Sequence, residues 1–183
     1  MGYTAALSKS WDALGDVSKE GPVSLRVLAD EYSVDLDKQR IFSLSCNSPA
    51  KDYLTILILH YLKQRSGGLP AATGEWVGFN QLSAGQGYYP AFKKRVIGPI
   101  MRKYGGNPQA ILEAVERFGA KRVQLGDYGI TLDVFEGVPV LITFWQGDDE
   151  FGPEANVLFD KSIENIFCTE DIVILAEFVA HNI

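Results

Sequence analysis

Two cysteines, Cys46 and Cys168, are all the thiols in 183 residues. That is too few for an iron-sulfur cluster or a four-cysteine zinc site, and neither belongs to a Cys-x-x-Cys pair. Histidine is equally scarce: His60 lies in an apolar segment and His181 near the end, with no partner at metal-ligand spacing, so no zinc site is expected. No Gly-x-Ser-x-Gly elbow, Walker loop or dinucleotide fingerprint occurs, and no nucleophile pairs with a base by spacing, so covalent catalysis has no support. Long hydrophobic runs are also missing. The longest near-apolar stretch, Tyr53 to Leu62, spans ten residues, about half of what a bilayer crossing needs. The opening Met-Gly-Tyr-Thr leads into no basic-then-apolar segment, so the expected location is cytoplasmic, with reduced thiols as buried spectators. Basic residues are outnumbered 17 to 23, giving a net charge of −6. Such a balance repels a phosphate backbone, so neither nucleic acid nor membrane is an expected partner.

What is present is patterned. Tyr3, Leu7, Trp11, Leu14 and Val17 recur at three or four residues and predict a helix over 3–18, stopped by Gly21-Pro22. Two-residue alternation then predicts a hairpin over 31–36 and 40–45. Ser48-Pro49 reads as a helix start, and the following segment to Arg65 is apolar around nearly its whole circumference, so the helix at about 49–65 is expected to be buried and central. Residues 67–90 hold six glycines with Trp76, Phe79, Tyr88 and Tyr89, a Gly/aromatic lobe or long loop. Pro90 is expected to open a helix to about Tyr104, broken or kinked at Gly98-Pro99, and Asn107-Pro108 to cap the next one. Val123 with Leu125, Ile130 to Val134, and Val138 to Trp145 read as three strands joined by short Gly-containing turns, with a short further strand at 157–159. The third is apolar on both faces and should be central. Thr169-Glu170-Asp171 starts a last helix. Helices and strands come in blocks, which predicts an α+β fold: a mainly antiparallel sheet with helices packed on one side, in a single globular domain over 1–183.

Two constellations carry the functional expectations. Asp148, Asp149 and Glu150, with Glu154 and Asp160 further on, offer oxygen ligands for Mg2+ or Ca2+, although the spacing does not match a twelve-residue calcium loop. A solvated acidic turn is the commoner origin of such a run. Gly85-Gln86-Gly87-Tyr88-Tyr89-Pro90 precedes Lys93 and Lys94, a pattern suited to a phosphate or carboxylate at a helix start. A glycine turn with a solvated basic face explains it as well. Trp76, Tyr88, Tyr89 and Trp145 complete a candidate ligand-binding set with Gly85, Gly87, Lys93 and Lys94.

Gly78 to Leu82 with Gly87 to Phe92, Val138 to Leu141, and Trp145 to Glu150 with Leu158 to Asp160 resemble a family described only as a domain of unknown function, number 3786. The resemblance spans roughly residues 10–180. It implies no activity and no catalytic residue, and it implies a source among anaerobic bacteria and archaea. Some members are fused to an iron-sulfur domain like that of corrinoid proteins in one-carbon metabolism, from which this chain departs in having two cysteines. The expectation is a non-enzymatic module that binds a protein partner or a small anionic ligand, using residues 76–92 and 147–154 as contact surface. The alternatives are a divalent-metal-assisted hydrolase or transferase using the acidic loop, and a structural subunit of a larger complex.

Overall fold

The computed structural model describes residues 3–15 and 22–183. Val17 and Gly21, the expected end of the first helix and part of its stop, lie outside them. The chain divides into two compact units, residues 1–70 and 71–183.

In the first unit, helix α1 (Thr4–Asp12) precedes a four-stranded antiparallel meander of β1 (Val23–Val27), β2 (Asp30–Asp35), β3 (Arg40–Ser43) and β4 (Ser48–Pro49). The predicted hairpin is β2–β3, and β1 adds a strand before it. One face carries Leu25, Val27, Tyr32, Val34 and Ile41, all buried, because pairing in register puts these alternating residues on the same side. Ser48 and Pro49 are not a helix cap. They close the sheet beside Phe42 and Ser43, where a proline costs least because an edge strand has one unpaired side. Helix α2 (Asp52–Gly67) begins three residues later, with Lys51 at its N-cap and no side-chain cap. Its residues Leu54 to Leu59 are all buried, as the all-round apolar pattern predicts, and it ends at Gly68, whose φ of 92° stops the helix. His60 meets Ser10 of α1, Nε2 to Oγ at 3.0 Å, while the Ser10 hydroxyl donates to the Ala6 carbonyl at 2.9 Å. With the Ser10 proton directed at Ala6, its oxygen is the acceptor when His60 carries a proton on Nε2, and the contact ties α1 to α2.

The second unit is a five-stranded antiparallel sheet in the order β5-β9-β8-β7-β6, built from β5 (Trp76–Gly78), β6 (Lys121–Val123), β7 (Tyr128–Phe135), β8 (Val138–Trp145) and β9 (Glu154–Asp160). β8 is central, as its two apolar faces require, and Ile142 and Phe144 are 0% exposed. Helices cover the face that carries them. Phe92 of α3 (Gly85–Phe92) meets Phe159 edge to face with centroids 6.2 Å apart, and Tyr104 of α4 (Gly98–Tyr104) meets Phe144 at 5.9 Å. Helix α6 (Thr169–Asn182) is held to this layer by Arg95–Glu177 and by Lys103 donating to the Ile183 carbonyl. A 3₁₀ turn (Pro108–Leu112) leads into α5 (Glu113–Phe118), and Asn107 makes no side-chain cap there. The fold is therefore α+β with antiparallel sheets.

Two helix boundaries differ from expectation. Pro90 lies inside α3, which starts five residues earlier at Gly85. The strain of Gly98-Pro99 is absorbed upstream, where Lys93–Ile97 widens into a π-turn closed by the Gly98 amide donating to the Lys93 carbonyl, so the chain passes Pro99 without a break. Among the described residues no helix is long and apolar enough to cross a membrane.

Candidate functional site

The tip of the β8–β9 hairpin is assembled from two pinned turns. Between β6 and β7 the chain runs so close to β8 that a Cβ on Gly126 would sit 2.6 Å from the Phe144 carbonyl oxygen, and its φ of 72° is one that glycine adopts without penalty. That approach lets the Asp127 amide donate to the Phe144 carbonyl at 2.9 Å, while the Asp127 carboxylate accepts the Gln146 amide at 2.6 Å. Beyond Gln146, Asp148 folds its own loop: Oδ1 accepts the amides of Phe151 at 2.7 Å and Glu150 at 2.9 Å, and the Asp148 amide donates back to the Phe151 carbonyl at 2.8 Å. The Phe151 amide, then that of Glu150, holds the Asp148 carboxyl below its ordinary range. What these bonds leave outside is apolar: Trp145 is 47% exposed, Phe151 70% and Leu125 43%. Leu125, expected within a strand, lies beyond the end of β6 in the turn.

The acidic run does not gather into a cation cage. Asp148 is committed to its loop, and Asp149 and Glu150 are exposed beside it. Asp160, grouped with them by sequence, stands at the other end of β9. Among the described residues no three His, Cys, Asp or Glu side chains come together as metal ligands.

The Gly/aromatic lobe is a packed layer. Phe79 and Phe92 stack with centroids 4.4 Å apart and planes at 3°, Tyr89 joins Phe92 at 6.3 Å, and the Lys93 ammonium sits 5.1 Å from the Tyr89 ring centre. Gly85 is a contact glycine: it presses on the Phe79 carbonyl, and its amide donates to the Leu82 carbonyl at 2.9 Å. The nearest anion at this helix start is the chain's own, since the Glu164 carboxylate accepts the Ser83 amide at 2.6 Å and Thr169 Oγ1 donates to the Ser83 carbonyl at 2.7 Å. Gly87, Tyr88 and Lys94 face solvent, and Trp76 is half-buried on β5.

The sheet keeps Trp76 and Trp145 apart. Trp145 pairs with Glu154 at the start of β9, whereas Trp76 pairs with Asp160 at its end. Six residue steps of about 3.3 Å put roughly 20 Å between those positions.

Sequence reasoning missed the role of Asp160. It is 2% exposed, and its carboxylate accepts the amides of Thr73 (3.0 Å), Gly74 (2.7 Å) and Ser162 (2.9 Å) as well as the Thr73 hydroxyl (3.0 Å). Burial alone would raise its pKa. The bonds from Ser162, Thr73 and Gly74 outweigh burial and hold it far below the ordinary carboxylate range. Of that arrangement only the Asp-Lys-Ser spelling of a side-chain-to-backbone turn was legible beforehand.

Both thiols are exposed rather than buried. Cys46 occupies the turn after β3, where its amide donates to Ser43 Oγ at 3.0 Å, and Cys168 is the N-cap of α6. Partial desolvation of the Cys168 sulfur, with the neighbouring Asp171 charge, nonetheless pushes its thiol up to about 11. Since the thiolate is the nucleophile, Cys168 at pH 8 should alkylate about 100-fold more slowly than an unstructured cysteine with the ordinary value of 9.0, and its rate should climb towards pH 11. Time-resolved iodoacetamide labelling with peptide mass spectrometry measures this directly. A Cys168 rate within threefold of a model thiol would contradict it.

These features define a two-unit α+β protein with a hydrogen-bonded acidic and aromatic tip. The chain belongs to the family "Domain of unknown function (DUF3786)", whose model matches residues 8–182. No curated protein and no solved structure matches the chain.

Proposed function

We propose that this protein is a non-enzymatic binding module that engages a protein partner through the tip formed by Leu125, Trp145 and Phe151. The single observation that carries the reading is that these large apolar side chains sit exposed at one end of one sheet while the backbone beneath them is fixed by hydrogen bonds. Scattered exposed hydrophobics need no explanation, but neighbours on pinned turns form a preorganised patch that would lose little entropy on being covered. Aromatic residues of this kind are the usual anchors of protein interfaces. The lobe at 76–92 contributes less, because Phe79 and Phe92 are spent on the unit's own core.

The double substitution Trp145→Ala with Phe151→Ala should reduce retention of a specific partner by at least about tenfold in affinity chromatography on the immobilised chain, whereas Tyr88→Ala, elsewhere on the surface, should leave it unchanged. Equal retention by the double variant would refute the tip as the contact. Turnover of a small-molecule panel that a single substitution abolishes would refute the non-enzymatic half of the reading.

A further inference from the structure

Independently of the tip, we infer that the outward row of the helix running through α3, the π-turn and α4 binds an aspartate- or glutamate-rich segment of a partner protein. The first observation is charge. From Trp76 to Leu112 the sequence carries Lys93, Lys94, Arg95, Arg102 and Lys103 and no acidic residue, so every acidic side chain of the chain lies elsewhere. All five cations are exposed. Among the described residues the only ion pair they form is Arg95–Glu177, while Lys103 donates to the Ile183 carbonyl. The side chains of Lys94 and Arg102 have neither an ion pair nor a hydrogen-bond partner among the described residues. The helix dipole favours Arg102 and Lys103 in the last turn on its own account, but gives no reason for Lys93, Lys94 and Arg95 in the middle.

The second observation is alignment. In an uninterrupted α-helix, residues eight apart stand about 80° from one another around the axis, so Lys94 and Arg102 would face different ways. The π-turn at Lys93–Ile97 takes up one additional residue and brings the two back to within about 20°. Phe92, Val96, Ile100 and Tyr104 are buried, and they stand two residues out of step with Lys94, Gly98 and Arg102, so this second row points outward. Gly98 keeps it open. A Cβ there would lie 3.5 Å from Arg102 Nη1, which shows the guanidinium lying back along the helix over Gly98. The two cations are about 12 Å apart along the axis, the length that about four extended residues of an incoming segment cover. An arginine takes a carboxylate in two parallel hydrogen bonds, and an unpaired basic row attracts an acidic segment and repels a basic one. A long phosphate polymer suits the row less, because beyond it the polymer would run past a chain that holds all 23 of its acidic residues there.

The test titrates a fluorescein-labelled, capped peptide of about seven residues alternating glutamate and serine with the full chain at low ionic strength, and reads anisotropy. Backbone amide shifts of the isotope-labelled chain locate the contact. A lysine–serine peptide and a single-stranded oligothymidine of similar charge run alongside. The expected result is saturable binding of the glutamate peptide, with shifts concentrated at Lys93 to Lys103. Lys94→Gln with Arg102→Gln should weaken it at least about tenfold, and an unperturbed spectrum elsewhere certifies the fold of that variant. Lys38→Gln with Arg40→Gln removes the same charge from the first unit and should leave binding unchanged. An equal loss in that control, equal binding of the lysine peptide, or no binding of the glutamate peptide would overturn the site. Oligothymidine bound as tightly as the glutamate peptide would overturn the choice of a protein segment. Neither variant touches the tip, so a failure here leaves the tip's role standing, and the Trp145/Phe151 result does not decide this one.

Discussion

Replacing Asp160 by asparagine should lower the unfolding free energy by about 3 kcal/mol, although the side chain keeps its size. The reason is that only donors converge on it. Oδ1 accepts from the Thr73 amide, the Thr73 hydroxyl and the Ser162 amide, and Oδ2 accepts from the Gly74 amide at 2.7 Å. An asparagine supplies one acceptor oxygen and a donor NH2, so whichever way it turns, an N–H group faces another N–H inside a site that is 2% exposed. Denaturant unfolding with both proteins measures the difference. The pH dependence gives a second signature. Because the folded state holds this carboxyl below its ordinary value of 3.8, its contribution is complete above that value and is lost as pH falls towards the lower folded one. The gap between wild type and variant should therefore be constant from pH 7 to about 5 and shrink below about 4. A gap under about 1 kcal/mol at neutral pH would mean that the Thr73–Gly74 bend does not depend on the carboxylate.

Gly85→Ala should be at least as damaging, while Gly87→Ala, two residues along the same helix, should be neutral or stabilising. A Cβ on Gly85 would lie inside the contact distance of the Phe79 carbonyl oxygen and 2.9 Å from its carbonyl carbon, and both are backbone atoms with no rotamer to change. Relief requires moving the 3₁₀ turn at Phe79–Gln81, which would pull Phe79 off its stack with Phe92 and disturb the contact with Phe159. Overpacking against backbone in a core of this kind costs about 3 kcal/mol or more. Around Gly87 nothing lies within 4 Å, so an alanine there gains about 0.5–1 kcal/mol of helix propensity without strain. Thermal unfolding of the two variants side by side decides the matter, and equal melting temperatures would rule out the close approach at Gly85.

The same contrast explains what could be seen in the sequence. β8 was legible because an eight-residue run apolar on both faces has few homes other than the middle of a sheet. α2 was legible for the corresponding reason, an apolar girdle too complete for a wet surface. β5 was not. Trp76, Val77 and Gly78 become a strand only through β9, and three residues of mixed character carry no period of their own. The start of α3 was hidden because its first turn is Gly-Gln-Gly, weak helix formers whose glycine is required by a tertiary contact with Phe79. Ser48-Pro49 misled because a helix start and a sheet edge both tolerate proline, and local spelling does not say which surface the segment will meet. At the tip, the acidic loop was plain, but its purpose was not: Asp148 spends its oxygens on two of its own amides, and the apolar members Leu125 and Phe151 are brought to one end of the sheet by turns whose geometry depends on Gly126 and Asp127.

The pairing of Trp76 with Asp160 also sets a timetable. As the polypeptide leaves the ribosome, Trp76 of β5 emerges 84 residues before Asp160, its partner on β9, and Phe92 of the Phe79–Phe92 stack 67 residues before Phe159. At a synthesis rate of about 5–20 residues per second, they wait roughly 3 to 17 s with their aromatic rings uncovered. The emergence of Phe159 and Asp160 ends that interval by supplying a ring for Phe92 and an acceptor for the Thr73–Gly74 bend in consecutive residues.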